Sequence, residues 1–144
     1  AWEGGMRGWL WVAVICGFGT PLWADTPHPV EAGLNACLDR PEGTTTHGML
    51  QCMDAARAGW DLELNRTYAE LRSRLEPAAQ ARLRTAQRQW LAFRDAEIAA
   101  LEDIQTQAGG TMYQVMVAER VAALTRDRYV QLEASLEILR IAAQ

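Results

Sequence analysis

The chain has 144 residues, of which 49% are apolar and 22% charged, a size and composition typical of one globular domain rather than a disordered or collagen-like chain. All 14 basic residues are arginines, and 18 acidic residues give a formal net charge of −4, which argues against nucleic-acid binding. Three cysteines and two histidines are too few for a zinc finger without carboxylate ligands.

The first 24 residues have the order of a secretory signal. Arg7 precedes an apolar run over residues 8–18, a break at Pro21 follows, and the small residue Ala24 stands before the first polar segment. The run is shorter than the ~20 residues needed to cross a bilayer. We expect cleavage after Ala24 and a periplasmic or secreted protein that is not held in the membrane, with an uncleaved anchor as the alternative.

Residues 25–46 are rich in proline, glycine and threonine, which predicts a loop with at most a short turn around residues 30–38. Two cysteines, Cys37 and Cys52, remain after signal cleavage. In an oxidising compartment they favour a disulfide over two free buried thiols. A bridge closing a loop of this size stabilises a fold by roughly 3 kcal/mol.

Residues 47–144 show helical periodicity and form the predicted helical domain. Thr46 is the predicted N-cap, Pro77 the break between the first two helices, and Gly109-Gly110 the second break, with Thr111 capping the third helix. Apolar residues recur in steps of three and four along each helix. They are Met49, Cys52, Ala56, Trp60, Leu64, Tyr68, Leu71 and Leu75; Leu83, Ala86, Trp90, Phe93, Ile98, Leu101 and Ile104; and Met112, Val115, Ala118, Ala122, Tyr129, Leu132, Leu136 and Leu139.

Helices of this length joined by short connections pack as antiparallel neighbours. The sequence shows no alternating strand pattern. It therefore predicts an all-α protein, an elongated antiparallel three-helix bundle with a disulfide-tied N-terminal loop region. A dimeric coiled coil is the alternative, although the variation among alanine and tryptophan at the apolar positions favours a self-packed bundle.

Polar residues recur on two of the predicted helix faces. We expect them to meet as a buried network that fixes helix register, with Arg94 against Asp61, so that removing Arg94 would cost roughly 3 kcal/mol. The alternative is a binding or catalytic cluster with Asp61 or Asp95 as its base. The residues of this polar network are Asp61, Asn65, Tyr68, Gln87, Trp90, Arg94 and Asp95.

Catalysis and metal binding are poorly supported. No nucleophile or histidine accompanies the carboxylates of the network, and a slender bundle offers no evident sugar cleft for a glycosidase. His28 and His47 lie in the proline-rich and threonine-rich region, where surface histidines are more common than ligands. We therefore expect a protein without catalytic residues, metal or cofactor.

The order of these features resembles the lysozyme inhibitor LprI-like N-terminal domain family over about residues 35–135. The resemblance rests on Cys37 and Cys52, a D-x-E-L-N-x-x-Y pattern at residues 61–68, a Q-x-x-W-L-x-F-R-D pattern at 87–95, Gly-Gly-Thr at 109–111, and residues 124–128. The family pattern has two further cysteines, at the places of Ile98 and Arg120. Their joint absence is consistent with one lost bridge between the second and third helices, which leaves Leu101, Met112 and Met116 to hold that pair.

The family's name implies inhibition of lysozyme. Common animal-type lysozymes are cationic, and an exported domain of charge −4 would be attracted to them. The acids expected to face such a partner are Glu63, Glu70, Glu76, Glu102 and Asp103. The alternative is a structural or homo-oligomeric module of the cell envelope, including a homodimer, without inhibitory activity.

Overall fold

Four α-helices and one short 3-10 turn make up residues 26–144, the part of the chain that the computed structural model describes. In chain order they are α1 (Pro29–Leu38), the 3-10 turn (Pro41–Thr44), α2 (Thr46–Ser73), α3 (Pro77–Ala108) and α4 (Thr111–Ala142). No strand occurs among these residues, so the all-α prediction is confirmed, whereas the predicted count of three helices is corrected to four. The predicted signal, residues 1–24, lies outside the described part of the chain.

Helix α1 corrects the expectation of a loop before the first long helix. Pro29 occupies the first turn, where its missing N–H costs nothing, and His28 caps the helix by accepting a hydrogen bond at Nδ1 from the Val30 amide at 3.2 Å. The His28 ring also lies 4.5 Å from the Trp60 ring and 5.2 Å from the Tyr129 ring. His28 is therefore a packing residue rather than a surface loop histidine.

The long helices begin and end close to the predicted breaks. Pro77 opens α3, and Gly109 and Gly110 turn the chain with φ angles of 64° and 85°, which favour glycine. The α2 cap lies one residue before the prediction, because it is the Thr45 hydroxyl that accepts a hydrogen bond from the Gly48 amide at 3.0 Å. Gly110, rather than Thr111, occupies the cap position of α4.

The core lies between α2 and α4, which run parallel to each other because α3 reverses the chain between them. Thr67 donates a hydrogen bond to Glu133 at 3.2 Å across this contact. The buried leucines are 4% exposed or less and come from the predicted stripes of both helices. They are Leu64, Leu71, Leu132 and Leu136.

Helix α3 packs on α4 and barely touches α2. Of its 32 residues only Gln87 is buried. Phe93 and Ile104, which the periodicity placed in the apolar stripe, are 55% and 58% exposed. The expectation that Met112 and Met116 hold α3 against α4 is also wrong, since both are mostly exposed.

The predicted disulfide is confirmed. Cys37 at the end of α1 is bonded to Cys52 in α2, with their Cα atoms 5.7 Å apart. The turn between these helices is so close that a Cβ atom on Gly43 or Gly48 would collide with the backbone of residues 37–42. Among the described helices, none has the length and apolar character that crossing a bilayer requires.

Candidate functional site

Two separate openings lie between α2 and α3, which do not pack closely on each other. The first has a volume of ≈ 310 Å³ and lies between the C-terminal half of α2 and the N-terminal half of α3. We call this opening the motif groove. Its walls are Asp61, Leu64, Asn65, Tyr68, Arg84, Gln87, Arg88, Trp90 and Leu91.

The structure brings five residues of the predicted polar network to the motif groove but bonds them differently from the expectation. Asn65 donates to Asp61 at 3.0 Å on the exposed wall of α2. Buried Gln87 accepts a hydrogen bond from Nε of Arg128 at 3.1 Å. Burial lowers the pKa of Arg128, a residue of α4 that the sequence analysis did not single out.

The predicted pair of Arg94 with Asp61 is not formed. Arg94 donates from Nε and Nη2 to the adjacent Asp95, at 3.0 and 2.8 Å, and its guanidinium lies 5.4 Å from the centroid of the Trp90 ring. The Arg128 guanidinium lies 5.9 Å from the same ring. Because α2 and α3 are held apart, Arg94 finds its partners on its own helix, and Trp90 lies between two cations.

The lining of the motif groove contains no serine, cysteine or histidine beside its carboxylate. Within residues 26–144, no group of three or more histidine, cysteine or acidic side chains is placed to hold a metal ion. The groove offers aromatic surface together with guanidinium donors from Arg84 and Arg88. This chemistry suits binding rather than bond cleavage.

The second opening lies at the other end of the bundle, between α2, α3 and α4, and has a volume of ≈ 510 Å³. Six of its eleven lining residues are apolar, among them Met53 from α2, Ile98 from α3 and Val117 from α4. Glu102 and an exposed ion pair of Asp54 with Arg57 add charge to its rim. The lining charges therefore change from two arginines and one aspartate in the motif groove to two acids and one arginine in the second opening.

The charged residues of α3 are also separated by sign along the helix, with arginines toward its start and acids toward its end. Residues 77–94 carry four arginines and no acid, whereas residues 95–119, which include the turn into α4, carry five acids and no arginine. We call residues 95–119 the acidic hairpin end. The acids are Asp95, Glu97, Glu102, Asp103 and Glu119, and the exposed apolar residues beside them are Ile104, Met112, Tyr113 and Met116.

The acids predicted to face a partner do not share one face. Glu102 and Asp103 are exposed in the acidic hairpin end, and neither forms an ion pair with another described residue. Glu63, Glu70 and exposed Glu76 lie toward the opposite end of the bundle. Glu70 and Glu102 are separated along the helix axes by about 30 Å at 1.5 Å per residue.

The acids at that opposite end are largely neutralised by arginine. Glu70 is 2.9 Å from Arg74 and 3.4 Å from Arg140. A hydrogen bond from Arg140 to Glu133 raises the pKa of this arginine. Burial, followed by the charges of Glu133 and Glu63, raises the pKa of Tyr129. This seam between α2 and α4 is an internal ion-pair network rather than a free acidic surface.

Comparison with known proteins agrees with this fold. A crystal structure of an uncharacterized protein from Burkholderia thailandensis aligns with a TM-score of 0.74 and 28% identity. The alignment covers 79% of this chain and 56% of that one, so this chain spans little more than half of that protein's length. A search of curated proteins finds no match.

The sequence model described as lysozyme inhibitor LprI matches residues 37–132, two-thirds of the chain. The match includes the disulfide, both walls of the motif groove and the acidic hairpin end. It extends to Leu132 in the core between α2 and α4. The chain belongs to the lysozyme inhibitor LprI family.

Proposed function

We propose that this chain is an exported binding protein that inhibits lysozyme or a related cell-wall hydrolase. The family is one of inhibitors rather than enzymes, and the motif groove has no catalytic constellation in its lining. The signal pattern in residues 1–24 supports a periplasmic or secreted location. The single observation that carries the proposal is the acidic hairpin end on a chain of this family.

The acidic hairpin end suits a cationic protein surface. Four of its five acids, all except Asp95, form no ion pair with a described residue, and unpaired acids attract a positive partner and speed the encounter. Met112 and Met116, 72% and 55% exposed, add flexible apolar side chains that adapt to the shape of a partner. Charge and apolar contact lie together here, whereas the acids between α2 and α4 are paired with arginine.

The direct test is a titration of the purified, oxidised protein into a lysozyme activity assay at low and at physiological salt. We expect inhibition that saturates near one inhibitor per enzyme and weakens as salt screens the acidic hairpin end. Absence of inhibition at large excess would contradict the proposal.

A pair of matched variants places the interaction on the molecule. Glu102→Gln with Glu119→Gln neutralises two unpaired acids of the hairpin end and should weaken inhibition roughly three- to tenfold at low salt. Glu63→Gln with Glu76→Gln changes the charge equally at the other end of the bundle and should leave inhibition within about twofold. Equal effects of the two pairs would exclude the hairpin end as the docking surface.

An envelope interaction module without inhibitory activity is the second candidate. The observation that favours it is the face of α3 on which Phe93 is exposed, because no described element covers that face. Such a module would self-associate and leave lysozyme activity unchanged.

A further inference from the structure

One face of α3 points away from the rest of the molecule. Its residues recur in steps of three and four, so they lie on one side of the helix, and all of them are exposed. We call this surface the outer face of α3. It consists of Arg82, Ala86, Gln89, Phe93, Ala96, Ala100, Asp103 and Ile104.

The outer face of α3 has a large apolar group at its centre. Phe93 is 55% exposed, and its neighbours on the same face are Gln89 and Ala96, with further alanines at 86 and 100. The other sides of α3 face the rest of the molecule. Gln87 accepts a hydrogen bond from Arg128 of α4, and Leu91 lines the motif groove. Phe93 and Ile104, both more than half exposed, lie on one face with exposed alanines between them, and an uncovered apolar strip of this kind is typical of a contact surface.

The pattern of the outer face is complementary to itself when the helix is reversed. Arg82 precedes Phe93 by 11 residues and Asp103 follows it by 10, or about 16 and 15 Å along the axis. Ala86 and Ala100 are each seven residues from Phe93. An antiparallel copy of α3 centred on Phe93 would therefore place arginine opposite aspartate and alanine opposite alanine.

We propose that the outer face of α3 binds a second copy of this chain about a two-fold axis at Phe93. Each Arg82 pairs with the partner's Asp103, so the two-fold repeats the ion pair at both ends of the contact. The two Phe93 rings bury each other at the centre. Neither Arg82 nor Asp103 forms an ion pair with any residue of the described chain.

The Phe93 rings determine how closely the two helices approach. Because both rings lie at the crossing point, we expect the helix axes toward the long end of the 8–10 Å range typical of packed helices, and the small side chains of Ala86, Ala96 and Ala100 leave room for the rings. Glu102 lines the second opening and Glu119 is on α4, and both stay accessible in the dimer. Asp103 and Ile104 of the acidic hairpin end are instead used in the dimer contact. The self-association tests contain no lysozyme, so their outcome does not depend on the proposed inhibition.

The first test is the molecular mass of the purified protein as a function of concentration, by sedimentation or light scattering. We expect a monomer–dimer equilibrium that Phe93→Glu weakens at least about tenfold, because it brings two carboxylates together at the axis. Leu62→Glu is the matched control, since Leu62 is 72% exposed on α2, and it should leave the equilibrium unchanged. A wild-type protein that stays monomeric, or equal effects of the two variants, would overturn the proposal.

Charge reversal tests the antiparallel register. Arg82→Glu alone and Asp103→Arg alone each place like charges opposite one another at both ends and should weaken self-association about tenfold. Mixing the two variants restores both attractive pairs, because each chain then meets its opposite, and the mixed dimer should form as tightly as the wild type. Failure of the mixture to dimerise would overturn this arrangement even if the wild type is a dimer.

Discussion

The α1–α2–α4 side of the molecule and helix α3 differ in how they are held in place. The first is closed by a disulfide, an aromatic cluster and a leucine core whose members are nearly inaccessible to water. The second is a long helix with a single buried residue, resting on α4. The difference indicates a rigid scaffold that carries an exposed helix available for partners.

Leu136→Ala should show the largest effect on stability. Leu136 is 0% exposed between α2 and α4, and removing its side chain leaves a cavity that costs about 3–5 kcal/mol. The matched control is Ile104→Ala, which removes an aliphatic group 58% exposed on α3 and should cost less than about 1 kcal/mol. Denaturant unfolding measures both, and similar costs would contradict the contrast between the two regions.

Removing the disulfide tests the covalent part of the scaffold. Cys37→Ser with Cys52→Ser releases the end of α1 from α2 and should lower the free energy of unfolding by about 3 kcal/mol. The free energy of unfolding of this variant is compared with that of the wild type, measured with the same denaturant under oxidising and under reducing conditions. Reduction that leaves stability unchanged would show that the α1–α2 packing is sufficient by itself.

Adding a disulfide between α3 and α4 should reduce the difference in stability between α3 and the α1–α2–α4 side of the molecule. The sequence resemblance implies cysteines at the places of Ile98 and Arg120, and Ile98→Cys with Arg120→Cys is designed to join α3 to α4. We expect the oxidised variant to gain about 2 kcal/mol and to slow amide exchange in α3. Two free thiols after oxidation would show that these positions do not face each other.

His28→Ala removes the cap of α1 and one ring of the aromatic cluster. We expect a loss of about 1–2 kcal/mol in thermal or denaturant unfolding. His47→Ala is the matched control because His47 is exposed at the start of α2, and it should cost less than about 0.5 kcal/mol. Identical stability of the two variants would place His28 outside the packed structure.

Arg94→Ala should have the smallest effect. Arg94 pairs with its exposed neighbour Asp95, so its loss should cost at most about 1 kcal/mol, well below the roughly 3 kcal/mol expected for a buried pair. Unfolding of this variant beside Asp95→Asn measures the difference. A cost near that of a buried pair would mean that Arg94 meets Asp61 in solution.

Helix periods and breaks were predictable from sequence because they are local properties. Pro77 and the glycines at 109 and 110 act through their own backbone angles, and the disulfide was predicted from two cysteines that follow a signal-like segment. Helix α1 was not predicted, because a proline at the first turn of a helix and a proline in a loop have the same local signature.

The bonding in the motif groove could not be predicted, because periodicity gives the face of a helix but not its neighbour. Asp61 and Arg94 each lie on a recurring polar face, yet α4 holds their helices apart and supplies Arg128 as the partner of Gln87. Phe93 was placed in the core for the same reason. An apolar residue at helical spacing gives the same sequence pattern whether the helix that covers it belongs to the same chain or to another chain.

The most direct test of the account is amide hydrogen exchange of the protein alone and with saturating lysozyme. Without lysozyme, the backbone amide hydrogens of α2 and α4 should exchange slowly with solvent. Those in the C-terminal part of α3, residues 95–108, should exchange faster. With lysozyme, added protection should appear in the acidic hairpin end, residues 95–119. Protection confined to the paired acids around Glu63 and Glu70, or no change at saturating lysozyme, would contradict the central claim that the exposed end of α3 binds the partner.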